Sequence, residues 1–144
     1  MDDSTPITIS LHSISDQSGE QEEIRFSAPG TLYQKESATY VRYEEVINET
    51  DKVNTTIKIT DGDATIIRRG AVSMRQQFIQ GEQTDGTYGS LYGPIKIGTD
   101  TKSMDFKWDE RTKVGALSLE YRVLFEGEET GNHQLSIRLK GERT

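Results

Sequence analysis

The residue types and positions best suited to chemistry in this chain are Arg68 and Glu45, and the chemistry they suit is anchoring an anion. In Ala64-Thr-Ile66-Ile-Arg68-Arg-Gly70, Arg68 is in phase with Ala64 and Ile66, which puts a guanidinium on the apolar side of a strand. An inward unpaired charge is costly, so Arg68 requires a carboxylate, a hydroxyl network or an anionic ligand. Glu45 shares phase with Val41 and Tyr43 and can supply the carboxylate. Two readings follow: a barrel-end arginine that reaches water or pairs with Glu45, and an anion anchor inside a pocket. Tyr40, Tyr43, Tyr88 and Tyr92 complete the candidate ligand-binding set, because an apolar ring with a polar tip suits a pocket mouth. The same rings suit plain packing at a barrel end.

Other chemistry finds little support. His12 is out of phase with Ile9 and Leu11 and should face solvent, whereas His133 is in phase with Leu135 and Ile137 near a turn. Two histidines without acidic partners at ligand spacing predict no metal site. Asp61-Gly-Asp63 lacks the further ligands of a calcium loop and reads as a hairpin turn. No serine sits in a Gly-x-Ser-x-Gly elbow, and there is no cysteine for thiol chemistry or disulfides. The adjacent pairs Glu44-Glu45 and Glu128-Glu129 would point to opposite faces of a strand and read as surface charge. The chain is expected to be no enzyme and to carry no cofactor.

The elements that must position Arg68 and Glu45 are strands. Alternating runs such as Ile7-Thr-Ile-Ser-Leu11, Thr56-Ile-Lys-Ile-Thr60 and Leu135-Ser-Ile-Arg-Leu139 bury one face and wet the other. Turn residues cut them every ~8–12 residues, and helical periodicity is almost absent. The expected fold is all-β: one antiparallel up-and-down barrel of about 8–10 strands, since closure removes the exposed sheet edges. Residues 1–144 form one domain, with 1–6 a loose N-terminal tail. Polar residues 16–23 read as a connection, Pro29-Gly30 as a break, Asp100-Thr-Lys102 as a turn and Gly86 to Pro94 as the least regular stretch.

Only 32% of the residues are hydrophobic, which suits a one-sided sheet, and the formal net charge is −7. That acidity argues against nucleic acid as a partner. No apolar stretch approaches the ~20 residues of a membrane span, and the N-terminus lacks a signal peptide's regions. A cytoplasmic location is the expectation.

Several stretches together resemble one family. They are Leu32-Tyr-Gln-Lys35, Tyr40-x-x-Tyr43-x-Glu45, Thr56-Ile-Lys-Ile59 and Arg68-x-Gly70 followed by Met74. Gly86-x-Tyr88-x-x-x-Tyr92-Gly93 and Leu119-x-Tyr121 leading into Gly127 continue the series. In this order the chain resembles the YwiB-like proteins, small bacterial proteins without assigned function whose fold is similar to the calycin barrels, the lipocalins and fatty-acid-binding proteins. The resemblance implies a closed barrel and an interior that could hold a ligand. The family's Thr-Pro-Tyr-Gly turn is here Ser90-Leu-Tyr-Gly93 with Pro94 after it, and the lipocalin Gly-x-Trp pattern is absent.

The functional expectation is a barrel that binds a small apolar or amphipathic anionic ligand. The alternative is an interaction module, homodimeric through a strand face or rim, with a filled barrel and no small ligand. Ile14, Ile79 and Leu124 are the apolar residues expected outside.

Overall fold

A computed structural model describes residues 4–17, 19–90 and 92–142 of the chain. Ten strands follow one another: β1 (Ser4–Gln17), β2 (Glu20–Lys35), β3 (Ala38–Ile47), β4 (Asp51–Thr60) and β5 (Asp63–Gly70), then β6 (Met74–Ile79), β7 (Gln83–Ser90), β8 (Gly93–Asp109), β9 (Val114–Phe125) and β10 (Glu128–Gly141). Each pairs antiparallel with its neighbours in sequence, and β1 pairs with β10 to close the barrel. Closure leaves no strand with a free edge along its whole length, which is how such a sheet avoids edge-to-edge association.

Side-chain alternation produces the strands as expected. Along β4, Val53, Thr55, Ile57 and Ile59 are buried while Asn54 and Lys58 are exposed. The β4–β5 hairpin turns at Asp61-Gly62, where Gly62 takes a φ of 75° that glycine adopts at little cost. The inward residues of the strand centres form the core, with Ile9, Ala64 and Phe78 at 0% exposure. Trp108 and Phe106 pack against that core near the end that carries the β8–β9 turn.

Four boundaries differ from the sequence expectation. Ser4, Thr5 and Pro6 are not a tail; they are paired with Tyr33, Leu32 and Thr31 of β2. Polar residues 16, 17 and 20–23 belong to β1 and β2, because two strands that pair with each other need no apolar side chains at an exposed hairpin tip. Pro29-Gly30 lies inside β2. The β2–β3 pairing begins only at Gly30, so Pro29 stands where the third strand has not yet joined. Gly30 is needed there because a Cβ would stand 2.5 Å from the Arg42 carbonyl oxygen and 2.6 Å from Ile9 Cδ1.

Asp100-Thr-Lys102 is likewise no turn. It is an irregularity within β8, where the β8–β9 register shifts between Thr101 and Ser103. The extra residue lets Ile97, Thr99 and Thr101 face inward and then Met104, Phe106 and Trp108 as well, although the two series have opposite parity. Within the stretch from Gly86 to Pro94, residues 86–90 end β7, residues 93–94 begin β8, and residue 91 lies outside the described residues.

Candidate functional site

Arg68 and Glu45 meet inside the barrel. Arg68 donates from Nη2 to Glu45 Oε1 at 3.0 Å, and both side chains are about a quarter exposed, at 28% and 25%. The pair arises from register: Arg68 lies opposite Thr55 of β4, and Thr55 lies opposite Tyr43 of β3, two residues before Glu45. The plainer of the two sequence readings for Arg68, pairing with Glu45, is therefore present. One contact uses one of five guanidinium N–H groups, which leaves donors for an anionic oxygen.

Tyr43 lies on the same inner face, its ring 5.9 Å from that of Phe26. Burial raises the pKa of its phenol, while the Thr55 hydroxyl and the Arg68 charge pull it back. The Thr55 hydroxyl is near enough for that influence without forming a hydrogen bond of ordinary geometry, and its Oγ1 is buried and unpartnered.

A second polar group sits on the far wall. In the closed order β10 is five strands from β5 in either direction, so inward residues of β10 face those of β5. His133 projects inward there, its ring stacked on Tyr121 at 5.1 Å, and Tyr121 meets Phe78 edge-on at 4.8 Å. The His133 Nε2 and the Thr101 Oγ1 have no hydrogen-bond partner, and Thr101 is wholly buried. By contrast, Gln76 Nε2 donates to Thr99 Oγ1 at 2.9 Å, so that buried pair is satisfied. Unpaired buried polar atoms carry a desolvation cost that water or a ligand would relieve. Burial lowers the His133 pKa and pushes that of Tyr121 up to about 12.

The barrel is closely filled at its middle and less so at the end that carries the β1–β2, β3–β4, β5–β6, β7–β8 and β9–β10 turns. Ile24, Tyr88 and Phe125 are on the inward phase at that end yet remain 49%, 42% and 39% exposed. The wall is also incomplete, because β2 and β3 pair only between residues 30–35 and 38–43. Glu45 and Phe26 lie beyond that pairing.

Of the sequence candidates, Arg68, Glu45 and Tyr43 are brought together, and Tyr88 faces the same mouth opposite Met74, the neighbour of Arg68 on β6. Tyr40 is not part of the site. It stands on the outer face, stacked on Tyr33 at 4.9 Å, because it is one residue out of phase with Val41 and Tyr43. Tyr92 is in the β7–β8 turn and 98% exposed, so it lines no interior surface. Ile14, Ile79 and Leu124 face outward but are half-buried rather than exposed, and sit on three separate strands.

Thr55, Thr101 and His133 are the inward polar residues that carry the unpartnered atoms. Period-two phase gives the orientation of Thr55 from Ile57 and of His133 from Leu135, but nothing in sequence marks their hydrogen-bond state. His12 bonds Glu23 at 2.9 Å on the outer face. Among the described residues no three His, Asp or Glu side chains gather as a metal site would require, and no helix is long and apolar enough to cross a membrane.

The depressed pKa of His133 sets a pH dependence. Between its folded pKa and the ordinary value near 6.5, the unfolded chain binds more protons than the folded one. Stability contributed by neutral His133 is therefore full above about pH 6.5 and is lost as pH falls through that range. Urea titrations of the parent and His133→Gln across this window should converge at low pH. Parallel curves would show that His133 titrates alike in both states.

A model of the family described as "Domain of unknown function (DUF1934)" matches residues 9–137. The chain is 33% identical over 141 residues to the uncharacterized beta-barrel protein YwiB of Bacillus subtilis (strain 168), covering 98% of this chain and 97% of that protein. It is also similar to the crystal structure of the ywiB protein from Bacillus subtilis, with a TM-score of 0.86, 31% identity, and coverage of 97% of this chain and 94% of that one.

Proposed function

This chain belongs to the DUF1934 family, whose function is unassigned, and from that premise we propose that it is a binding barrel for a small amphipathic, anionic ligand. The observation that carries the reading is an inward, incompletely engaged guanidinium at an apolar, partly open mouth. The anionic end of the ligand shares Arg68 with Glu45, and its apolar part lies against Ile24, Tyr88 and Phe125. The reading assigns the protein no catalytic step and no cofactor. A cytoplasmic setting belongs to the same proposal.

The anionic dye anilinonaphthalene sulfonate is a suitable probe, being an apolar ring system with one sulfonate. It is expected to bind with saturation, and the double variant Arg68→Met with Glu45→Gln should weaken binding about tenfold or more, the worth of a hydrogen bond to a charged group. Changing both residues avoids leaving Glu45 inside without a partner. Tyr40→Phe, on the outer face, should bind like the parent. Equal affinity in the parent and the double variant would sink the proposal. Native mass spectrometry of gently purified protein adds an independent check, since a mass lost on denaturation identifies a resident ligand directly.

A further inference from the structure

The outward side chains of β3–β6 carry a charge opposite to that of the whole molecule. Arg42, Lys58, Arg69 and Arg75 are exposed there, on four successive strands, and none has a carboxylate within 4.0 Å among the described residues. The outward carboxylates of these strands are Glu44, which pairs with Lys52 at 4.0 Å, and Asp63, which accepts from Gln77. Register ties the cations into one surface. Arg42 lies opposite Thr56, Thr56 opposite Ile67 and Ile67 opposite Arg75, while Lys58 and Arg69 stand two residues along β4 and β5 from that row. With neighbouring strands ~4.8 Å apart, the row from Arg42 to Arg75 spans about 14 Å.

Beside this surface lies an outward aromatic pair. Tyr33 and Tyr40 are stacked with their planes 6° apart, and the Arg42 guanidinium sits 5.2 Å from the Tyr33 ring centre. Tyr40 is also directly opposite Lys58.

We propose that the outer face of β3–β6 binds single-stranded nucleic acid, its phosphates held by Arg42, Lys58, Arg69 and Arg75 and a base resting on Tyr40. Basic side chains with an adjacent aromatic ring are the combination that holds a strand by its backbone and stacks its bases. A single strand is favoured over a duplex because the paired bases of a duplex keep their faces covered and leave Tyr40 with nothing to stack on. The acidity of the chain as a whole argues against nucleic acid only when charge is averaged over the surface. At physiological salt the Debye length is ~8 Å, so a strand on this face responds mainly to the cations beneath it.

The test is fluorescence anisotropy of a short labelled oligouridylate with the intact protein, read over a range of salt. Four phosphate contacts predict a log–log slope of affinity against salt of about −3. The exposed double variant Arg42→Glu with Arg75→Glu should lose at least about tenfold in affinity and flatten that slope. Tyr40→Ala should lose about tenfold, whereas Tyr40→Phe keeps the ring and should bind like the parent. Unchanged thermal midpoints would show that the variants remain folded. The proposal is overturned by absence of saturable binding at low salt, by parent-like binding in the charge-reversed variant, or by equal competition from polyglutamate. The last outcome would identify a face for acidic chains in general and remove the role of the base.

Discussion

Phe78→Ala should destabilise the protein by about 3–5 kcal/mol, a large share of the total stability of a domain this size. Phe78 is wholly buried on β6, and its ring meets Tyr121 of β9 edge-on at 4.8 Å. Strands separated along the wall are thereby packed against each other through the interior. Alanine removes both the transfer free energy of the ring and the aromatic contact, and leaves a cavity that the closed wall cannot easily collapse to fill. Urea denaturation gives the number directly. A loss below about 1 kcal/mol would mean that the barrel relaxes into the space, and that its interior is more pliable than its close packing implies. The effect should extend to the His133 end, since Tyr121 is also the ring on which His133 stacks.

Gly70→Ala is expected to cost about 2–6 kcal/mol and to weaken dye binding at the Arg68 end. Two terms combine. Gly70 has a φ of 113°, a conformation that strains any other residue by about 1–3 kcal/mol. A Cβ would also collide with the Lys52 backbone oxygen, and overpacking of that kind adds about 1–3 kcal/mol. Relief requires β5 to move away from β4 at the level of Val53, the partner of Gly70, two residues from Arg68. The control is Gly62→Ala. Its φ of 75° is also left-handed, but a Cβ there meets nothing within 4 Å, so only the conformational cost of about 1 kcal/mol should be seen. Equal losses in the two variants would show that the Lys52 contact is unimportant.

Much of the fold was legible because a strand has a period of two. Phase alone put Ile57, Ile59, Ile66 and Ile137 in the interior, and all are buried. It also set Arg68 and Glu45 on the inner face and His12 on the outer one, as the structure has them. Phase was equally sufficient to separate Tyr40 from Tyr43. Grouping the two in one pocket required strand residues three positions apart to share a face, which an extended backbone does not allow for any odd spacing. The misplaced boundaries have a different origin. Pro29-Gly30 and Asp100-Thr-Lys102 carry turn-like residues, but whether such residues end a strand depends on which neighbours pair with it, and a bulge or a late-joining strand absorbs them.

The sequence by itself therefore determined the all-β class, the meander order, the inner face and the inward position of the Arg68 charge. These follow from local alternation and from turn chemistry, both of which act over a few residues. Only the tertiary structure decided that Glu45 is the partner of Arg68, that His133 stands on the opposite wall, and that Thr55 and Thr101 are left without partners. It also decided that exposed cations gather on one face of an acidic chain. The reason is physical: such relations depend on register and closure between strands tens of residues apart, and register is fixed by the packing of the whole barrel rather than by any one strand.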